Sequence, residues 1–406
     1  MSTSLLYHGF AVCGRGIRYV GRDFSGGIVI FRVDQDPTTL RCGHCDGRDV
    51  IRRGRTLRRF RGGAICSKPV FVEFEVQRLQ CKGCGKVRQV KIPFADENKT
   101  YTKRFARYVL ELCTRMTIQD VAHHLQVSWR LVKEIQKNYL RRKFSRPKLR
   151  RLRRIAIDEI SVGRRHRYLT VVLDLETGAV VFVGKGKAAS SLDLFWRRLN
   201  RTKAKIEAVA IDMSQAYIQA VRERLPKAVL VFDHFHVIKL FNEKLTQLRR
   251  DLYREITDLL KKNVLKGVRW LLLKNPENLD PEHNERKRLK EALRLNEPLA
   301  CAYYMKEDLR MIWKQRDKVA ARHSLDDWIG RAEVSGIGIL RRFAQTLATH
   351  REGILAYYDY RISTGPLEGT NTKIKTLQRQ AYGYRDLEFF VLKIYALHLS
   401  KYKLVG

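Results

Sequence analysis

The stretch Arg154-Ile155-Ala156-Ile157-Asp158-Glu159-Ile160-Ser161-Val162 decides how the chain is read. Its apolar residues run almost without a break, the mark of a strand buried on both faces, and two carboxylates stand among them. A buried carboxylate is costly unless something binds it, and a divalent cation is the obvious binder. Tyr168–Asp174 (YLTVVLD) and Ala179–Gly184 (AVVFVG) predict two further strands, joined as a hairpin through Leu175–Gly178. Ser190–Leu199 predicts a helix and Ile206–Asp212 (IEAVAID) a fourth strand ending in an acid. Ser214–Leu225 predicts another helix and Ala228–Asp233 (AVLVFD) a fifth strand, also ending in an acid.

In a five-stranded mixed sheet with the first strand central, Asp158 and Asp212 can be neighbours, the arrangement of a ribonuclease-H-like fold. Acids at strand ends also cap the helices that follow, and Asp212 before Ser214 suits that role as well. Far downstream, Thr364–Lys375 (TGPLEGTNTKIK) opens a helix after a Gly-Pro break, with Glu368 in its first turn. Asn371 and Lys375 follow three and seven residues on and share a face with Glu368. A carboxylate, an amide and a cation on one face suit metal and phosphate together; an ordinary charged surface helix has the same pattern. Between Phe235 and Tyr360 the chain is almost entirely helical, with amphipathic spans at His234–Leu265, Pro281–Leu295, Leu299–Lys318 and Ile337–His350. So long a stretch before Glu368 reads as an insertion within the fold.

Upstream of the first strand lies the run RRKFSRPKLRRLRR, Arg141–Arg154, nine basic residues and no acid. It fits a solvated linker or one that tracks phosphates, with Arg141, Arg142, Lys143, Arg150 and Arg151 as contacts. Before it, Thr117–Ile135 reads as two short helices around a tight turn. Ala122 is small at the crossing, Val127 plugs the turn, and Ser128 caps the second helix. Trp129, Arg130 and Lys133 then project from a helix that would enter the major groove, although any amphipathic helical hairpin looks similar. His123 and His124 read as solvent-facing. Gln126 stands where glycine is common.

Nearer the start, Cys42-Gly43-His44-Cys45 and Cys81-Lys82-Gly83-Cys84 form two CxxC pairs, with Gly43, Gly47, Gly83 and Gly85 permitting tight turns. Val70–Leu79 between them alternates apolar and polar and leads into the second pair. The reading is a small zinc ribbon with Cys42, Cys45, Cys81 and Cys84 holding one structural Zn²⁺ and His44 outside the ligand set. Cys13, Cys66, Cys113 and Cys301 read as buried small hydrophobes.

Composition agrees with a nucleic-acid protein. Lys and Arg number 81 against 42 Asp and Glu, so a formal charge of +39 calls for a polyanionic partner. With 44% hydrophobic residues the 406-residue chain can build cores, which excludes wholesale disorder. No 18-residue apolar run and no secretory pattern at Met1–Val20 occur, so a cytosolic protein without membrane contact and without a disulfide framework is expected.

The ribbon and helical hairpin, followed by AIDEIS, AIDMSQAY, VFDHFHVIK and GPLEGTNTKIKTLQRQAYGYRD, resemble the bacterial insertion-sequence transposases of the ISL-three family, over nearly the whole chain from Cys42. The resemblance implies a DDE nuclease with Asp158, Asp212 and Glu368 as catalytic triad, holding two Mg²⁺ per active site. It implies that Asp233 and His236 match a D-x-x-H element beside the site without being ligands, and that Asn371 and Lys375 position the scissile strand. The expected activity is cleavage and strand transfer on double-stranded DNA, at terminal inverted repeats and target, by a homodimer in the bacterial cytoplasm associated with the nucleoid. The expected architecture is α/β and multidomain. It comprises a zinc-ribbon module over 1–98, a helix-turn-helix over 99–140 and a basic linker over 141–153, then a ribonuclease-H-like core over 154–240 and 361–406, interrupted by an all-helical insertion over 241–360. The alternative is a sequence-specific DNA-binding regulator on an inactive nuclease scaffold; an RNA-binding or structural protein on the same core is a further rival.

Overall fold

The computed structural model describes residues 16–65, 67–163 and 167–399. Cys13 and Cys66 lie outside the described residues. The chain divides into two units, one up to Ser145 and one over Arg146–Leu399.

In the first unit, β1 (Ile17–Asp23), β2 (Val29–Gln35), β3 (Val50–Arg61), β4 (Val70–Cys81) and β5 (Val87–Gln89) form one sheet in the order β1-β2-β4-β3, with β5 pairing β4. Strand β4 buries Val70, Val72, Phe74 and Val76, as the alternation predicts, and delivers Cys81 at its end. Three helices follow: α1 (Lys103–Leu112), α2 (Ile118–Leu125) and α3 (Trp129–Phe144). Thr117 and Asp120 form a reciprocal cap on α2. Gln126 ends it with φ 52°, the left-handed conformation that explains why glycine is common there. Val121, Ala122, Leu125, Val132 and Ile135 close a small core of their own. Arg61, only 7% exposed, ties sheet to helices: its guanidinium donates to Leu125 O at 2.9 Å and Val70 O at 3.3 Å. Residues 141–144 belong to α3, so the basic run begins inside a helix rather than in a linker.

The second unit is built on β6 (Arg154–Gly163), β7 (Arg167–Asp174), β8 (Val180–Lys185), β9 (Ala208–Ile211) and β10 (Val229–Phe232). They form a mixed sheet in the order β10-β9-β6-β7-β8, antiparallel over β6, β7 and β8 and parallel over β6, β9 and β10. The first strand is therefore central, covered by α4 (Asp193–Asn200) and α5 (Gln215–Arg224) in the same hydrophobic core. Buried Leu149 and Leu152 anchor the downstream half of the basic run in that core, with Arg150 and Arg151 exposed beside them.

After β10 come eight helices: α6 (His234–Glu255), α7 (Leu259–Gly267), α8 (Arg269–Leu273), α9 (Glu285–Arg294), α10 (Glu297–Met311), α11 (Lys318–Val334), α12 (Gly338–Thr349) and α13 (Arg351–Leu355). The span His234–Leu265 is two helices rather than one, because Asp258 accepts from Leu260 N and Lys261 N and starts a new one. Helix α11 falls between two of the spans read from periodicity; it buries Ala321, Leu325, Trp328, Ile329 and Ala332. Trp328 packs edge-on against Phe241 and Phe343, so these helices share one core with the sheet. The chain then returns through α14 (Gly365–Gln380) and α15 (Leu387–Tyr395).

Candidate active site and nucleic-acid interface

Parallel pairing sets Arg154, Ile155 and Ala156 of β6 beside Ala208, Val209 and Ala210 of β9. Carrying that register two residues further brings Asp158 level with Asp212, just past the end of β9 and on the same face. Asp212 Oδ1 also accepts from Ser214 N at 3.1 Å, a local turn that leads into α5; the N-cap of that helix is Ser214, so Asp212 is not its cap. Burial pushes the Asp158 carboxyl above the usual carboxylate range, and the nearby Asp212 charge adds to this; the Glu159 N–H, His236 and Lys239 pull the other way. Glu159, next along the strand, turns to the other face and interacts with Tyr217; burial raises it too.

Helix α14 supplies the third side of the site. Pro366 lies in its first turn, and Asn371 is buried and donates from Nδ2 to Asp158 Oδ2 at 2.9 Å. Its Oδ1 is buried with no hydrogen-bond partner among the described residues. Glu368, one turn earlier, is exposed, and Lys375, one turn later, is also exposed. The fold thus gathers Asp158, Asp212, His236 and Asn371. Glu368 stands at the margin, with no hydrogen bond to either aspartate among the described residues, and the three acids do not form a set with ligand atoms within 4.8 Å of one another.

Asp233 precedes α6 and is 2% exposed. Its Oδ2 accepts from Thr364 Oγ1 at 2.7 Å and faces His236 Nδ1 at 3.4 Å, while Oδ1 faces His234 Nδ1 at 3.6 Å. Burial alone would raise this carboxyl, but His236, Thr364 and His234 outweigh it and hold it below the usual range. In turn Asp233 raises His236 against its burial, with the Asp158 and Asp212 charges helping. Burial lowers His234.

Two groups at this site escape sequence reasoning. Lys239 lies one turn beyond His236 and acts on Asp158; the i,i+3 spacing was its available signal. Thr364 is 131 residues from the carboxylate it holds and has no local signal at all.

In the first unit the four cysteines converge, all Sγ atoms lying within 4.8 Å of one another. Cys42 and Cys84 are 3.7 Å apart and Cys45 and Cys81 3.5 Å apart. Backbone N–H groups of Cys45 and His44 draw the Cys42 thiol down to about 6. A side chain at Gly47 would lie 3.4 Å from Cys45 Sγ and 3.6 Å from Cys81 Sγ, and one at Gly43 would strike Gln89 O. His44 Nε2 pairs with Lys86 Nζ at 2.7 Å and stays outside the cluster.

On α3, Ser128 Oγ accepts from Leu131 N at 3.3 Å and so caps the helix. Trp129 and Arg130 are exposed, with the guanidinium 5.8 Å from the Trp129 ring centre, and Lys133 is half-buried. His123 and His124 are exposed. Further along the helix Arg141, Arg142 and Lys143 are exposed; Arg142 reaches Asp96 at 3.8 Å, and Lys143 lies over the Tyr139 ring. Cys113 is buried and Cys301 half-buried.

Comparison with known proteins bears on both units. Residues 155–394 match the model of a transposase family, and residues 90–140 match the helix-turn-helix domain of transposase family ISL3. The transposase for insertion sequence element IS1001 of Bordetella parapertussis is 34% identical over 87% of this chain and 88% of its own length. That for element IS1557 of Mycobacterium tuberculosis is 33% identical over 89% and 86%. Among solved structures, the Drosophila P element transposase strand transfer complex aligns over 73% of this chain and 91% of that chain, at 10% identity and a TM-score of 0.42. Two matched domains, and relatives aligned over most of their own length and of this one, make the chain a member of the ISL3 family of insertion-sequence transposases.

Proposed function

We propose that the second unit is a ribonuclease-H-like DDE nuclease that cleaves the ends of its insertion sequence and joins the freed 3′-hydroxyls to target DNA. The observation that carries this reading is the parallel pairing of β6 with β9, whose register continued two residues brings Asp158 level with Asp212 just past the end of β9, together with the bond to Asp158 from Asn371, on the helix that also bears Glu368. The donor set fits Mg²⁺. These are hard carboxylate oxygens, the Asp158 carboxyl being held less acidic than usual by burial and a like charge, and the Asn371 Oδ1 acceptor beside them is buried with no partner among the described residues. Asp158, Asp212 and Glu368 would hold two ions, which when bound stabilise the entering and leaving oxygens of in-line phosphoryl transfer.

The chain's own residues do the rest. Asn371 orients Asp158. Asp233 and Thr364 fix the first turn of α6, and with Nδ1 turned to Asp233, His236 has Nε2 left to meet a phosphate or hydroxyl. Lys375 positions the scissile strand. The exposed Trp129 and Arg130, with Lys133 and the basic residues through Arg151, bind the terminal inverted repeats. Zinc fits the four-cysteine cluster: tetrahedral Zn–S bonds place sulfurs about 3.8 Å apart, close to both observed pairs. Joining two ends requires two active sites, so a homodimer working on nucleoid DNA is the expected form.

Incubating the chain with DNA flanking its own gene, with and without Mg²⁺, tests the reading. Mg²⁺-dependent nicking by the parent and none by Asp158→Asn is the expected result. Sequence-specific binding with no nicking by the parent at any Mg²⁺ concentration would make the chain a regulator instead.

A further inference from the structure

Helix α14 carries an exposed stripe that continues well past Glu368. Glu368, Thr372, Lys375 and Arg379 succeed one another at intervals of three and four residues, the spacing of a single helical face, and Tyr382 follows three residues later in the terminal turn. All five are exposed, while Leu367, Ile374 and Leu377 bury the opposite face. Neither Lys375 nor Arg379 has an acidic partner among the described residues.

The helix ends with Tyr382 N donating to Arg379 O at 3.0 Å and Gly383 N donating to Gln378 O at 2.9 Å. In this reciprocal ending the first residue past the helix turns left-handed and is usually glycine. Here it is tyrosine, at φ 50°, with its ring wholly in solvent at 101% exposure. A side chain in that conformation is strained, and no packing among the described residues offsets it. Strain with no internal return points to a contact made outside the chain.

We propose that this stripe is a track for duplex DNA running outward from the cleavage point. Lys375 and Arg379 lie along the phosphate backbone, and Tyr382 lays its ring against deoxyribose and base edges. Fourteen residues of helix from Glu368 to Tyr382 span about 21 Å, so the ring meets the duplex about six base pairs from the cleaved phosphate. The proposal rests on the reading of Asp158, Asp212 and Glu368 as the cleavage centre, and it adds Arg379 and Tyr382 as positioning residues.

The experiment measures binding of the full chain, in buffer without divalent metal ions, to a duplex carrying the DNA that flanks its gene, across a salt series. Arg379→Gln should lower the slope of log affinity against log salt by about 0.9, one phosphate contact. Tyr382→Gly should leave the melting temperature unchanged or raised, because strain is relieved, yet weaken binding on the order of tenfold. A duplex with 5-iodouracil scanned along one strand should crosslink to the parent about six base pairs inside the end, and not to the glycine variant. An unchanged slope for Arg379→Gln, or a Tyr382→Gly variant that binds as the parent does, overturns the track and leaves the cleavage centre standing. If the parent fails to bind any duplex, the track and the proposed function fail together.

Discussion

Asn371 Nδ2 donates to Asp158 Oδ2 at 2.9 Å, although the two residues stand 213 positions apart in the chain. The bond joins the central strand to the helix that follows the whole helical segment. One oxygen of Asp158 is thereby turned toward α14, which fixes how the carboxylate presents itself to a cation. Asn371→Ala should weaken divalent-metal binding by about 10- to 100-fold, as loss of a ligand-orienting partner does. Mn²⁺ titration checks this, with far-UV circular dichroism expected to match the parent; unaltered affinity would show that the bond is structural only.

Asp158→Asn should end strand cleavage and, without divalent metal, stabilise the fold. The carboxyl is raised above its ordinary 3.8, so the ionised form costs stability that grows as pH climbs past 3.8 and is complete above the raised value. A neutral amide can still accept from Asn371. The expected rise in melting temperature is about 2–4 °C, and adding Mg²⁺ should narrow the gap by stabilising the parent alone. A lower melting temperature for the variant in chelator would contradict the account.

His236 gives the site a pH signature of opposite sense. Its pKa is raised above 6.5, chiefly by Asp233, so the pair contributes fully below 6.5 and the contribution fades as pH rises through the raised value. The parent's melting temperature should therefore fall over that alkaline-going window by about 2–4 °C more than that of His236→Gln. Asp233, whose pKa is lowered, acts at the acid end, contributing above 3.8 and losing its share as pH falls. Parallel curves for parent and variant above pH 6.5 would dismiss the pairing.

In the first unit, Arg61→Met should cost about 2–4 kcal/mol. Methionine nearly fills the space between Phe71 and Phe105 but leaves Leu125 O without its donor, while Val70 O keeps the Gly62 N–H. Denaturant unfolding followed through the first unit measures the loss, and a stability equal to the parent's would mean that water replaces the guanidinium.

Local periodicity already contained most of the elements. The run around Asp158 declares a doubly buried strand, Thr117 and Ser128 declare their caps, and two CxxC pairs declare a four-sulfur cluster, because these signals depend only on neighbours within a turn or a pleat. Where two local signals compete, the reading blurs: Asp258 starts a second helix inside one amphipathic pattern, and Arg141–Lys143 continue α3 into a charge run.

The composition of the site was decided elsewhere. That Asp158 sits level with Asp212 follows from strand register, that Asn371 rather than Glu368 meets Asp158 follows from how α14 packs, and that Thr364 holds Asp233 follows from chain return after eight helices. Sequence fixes which side chains are available and which face of each element they occupy, since backbone geometry is local. Which of them touch depends on burying apolar faces against partners hundreds of residues away, and only the packed structure makes that choice.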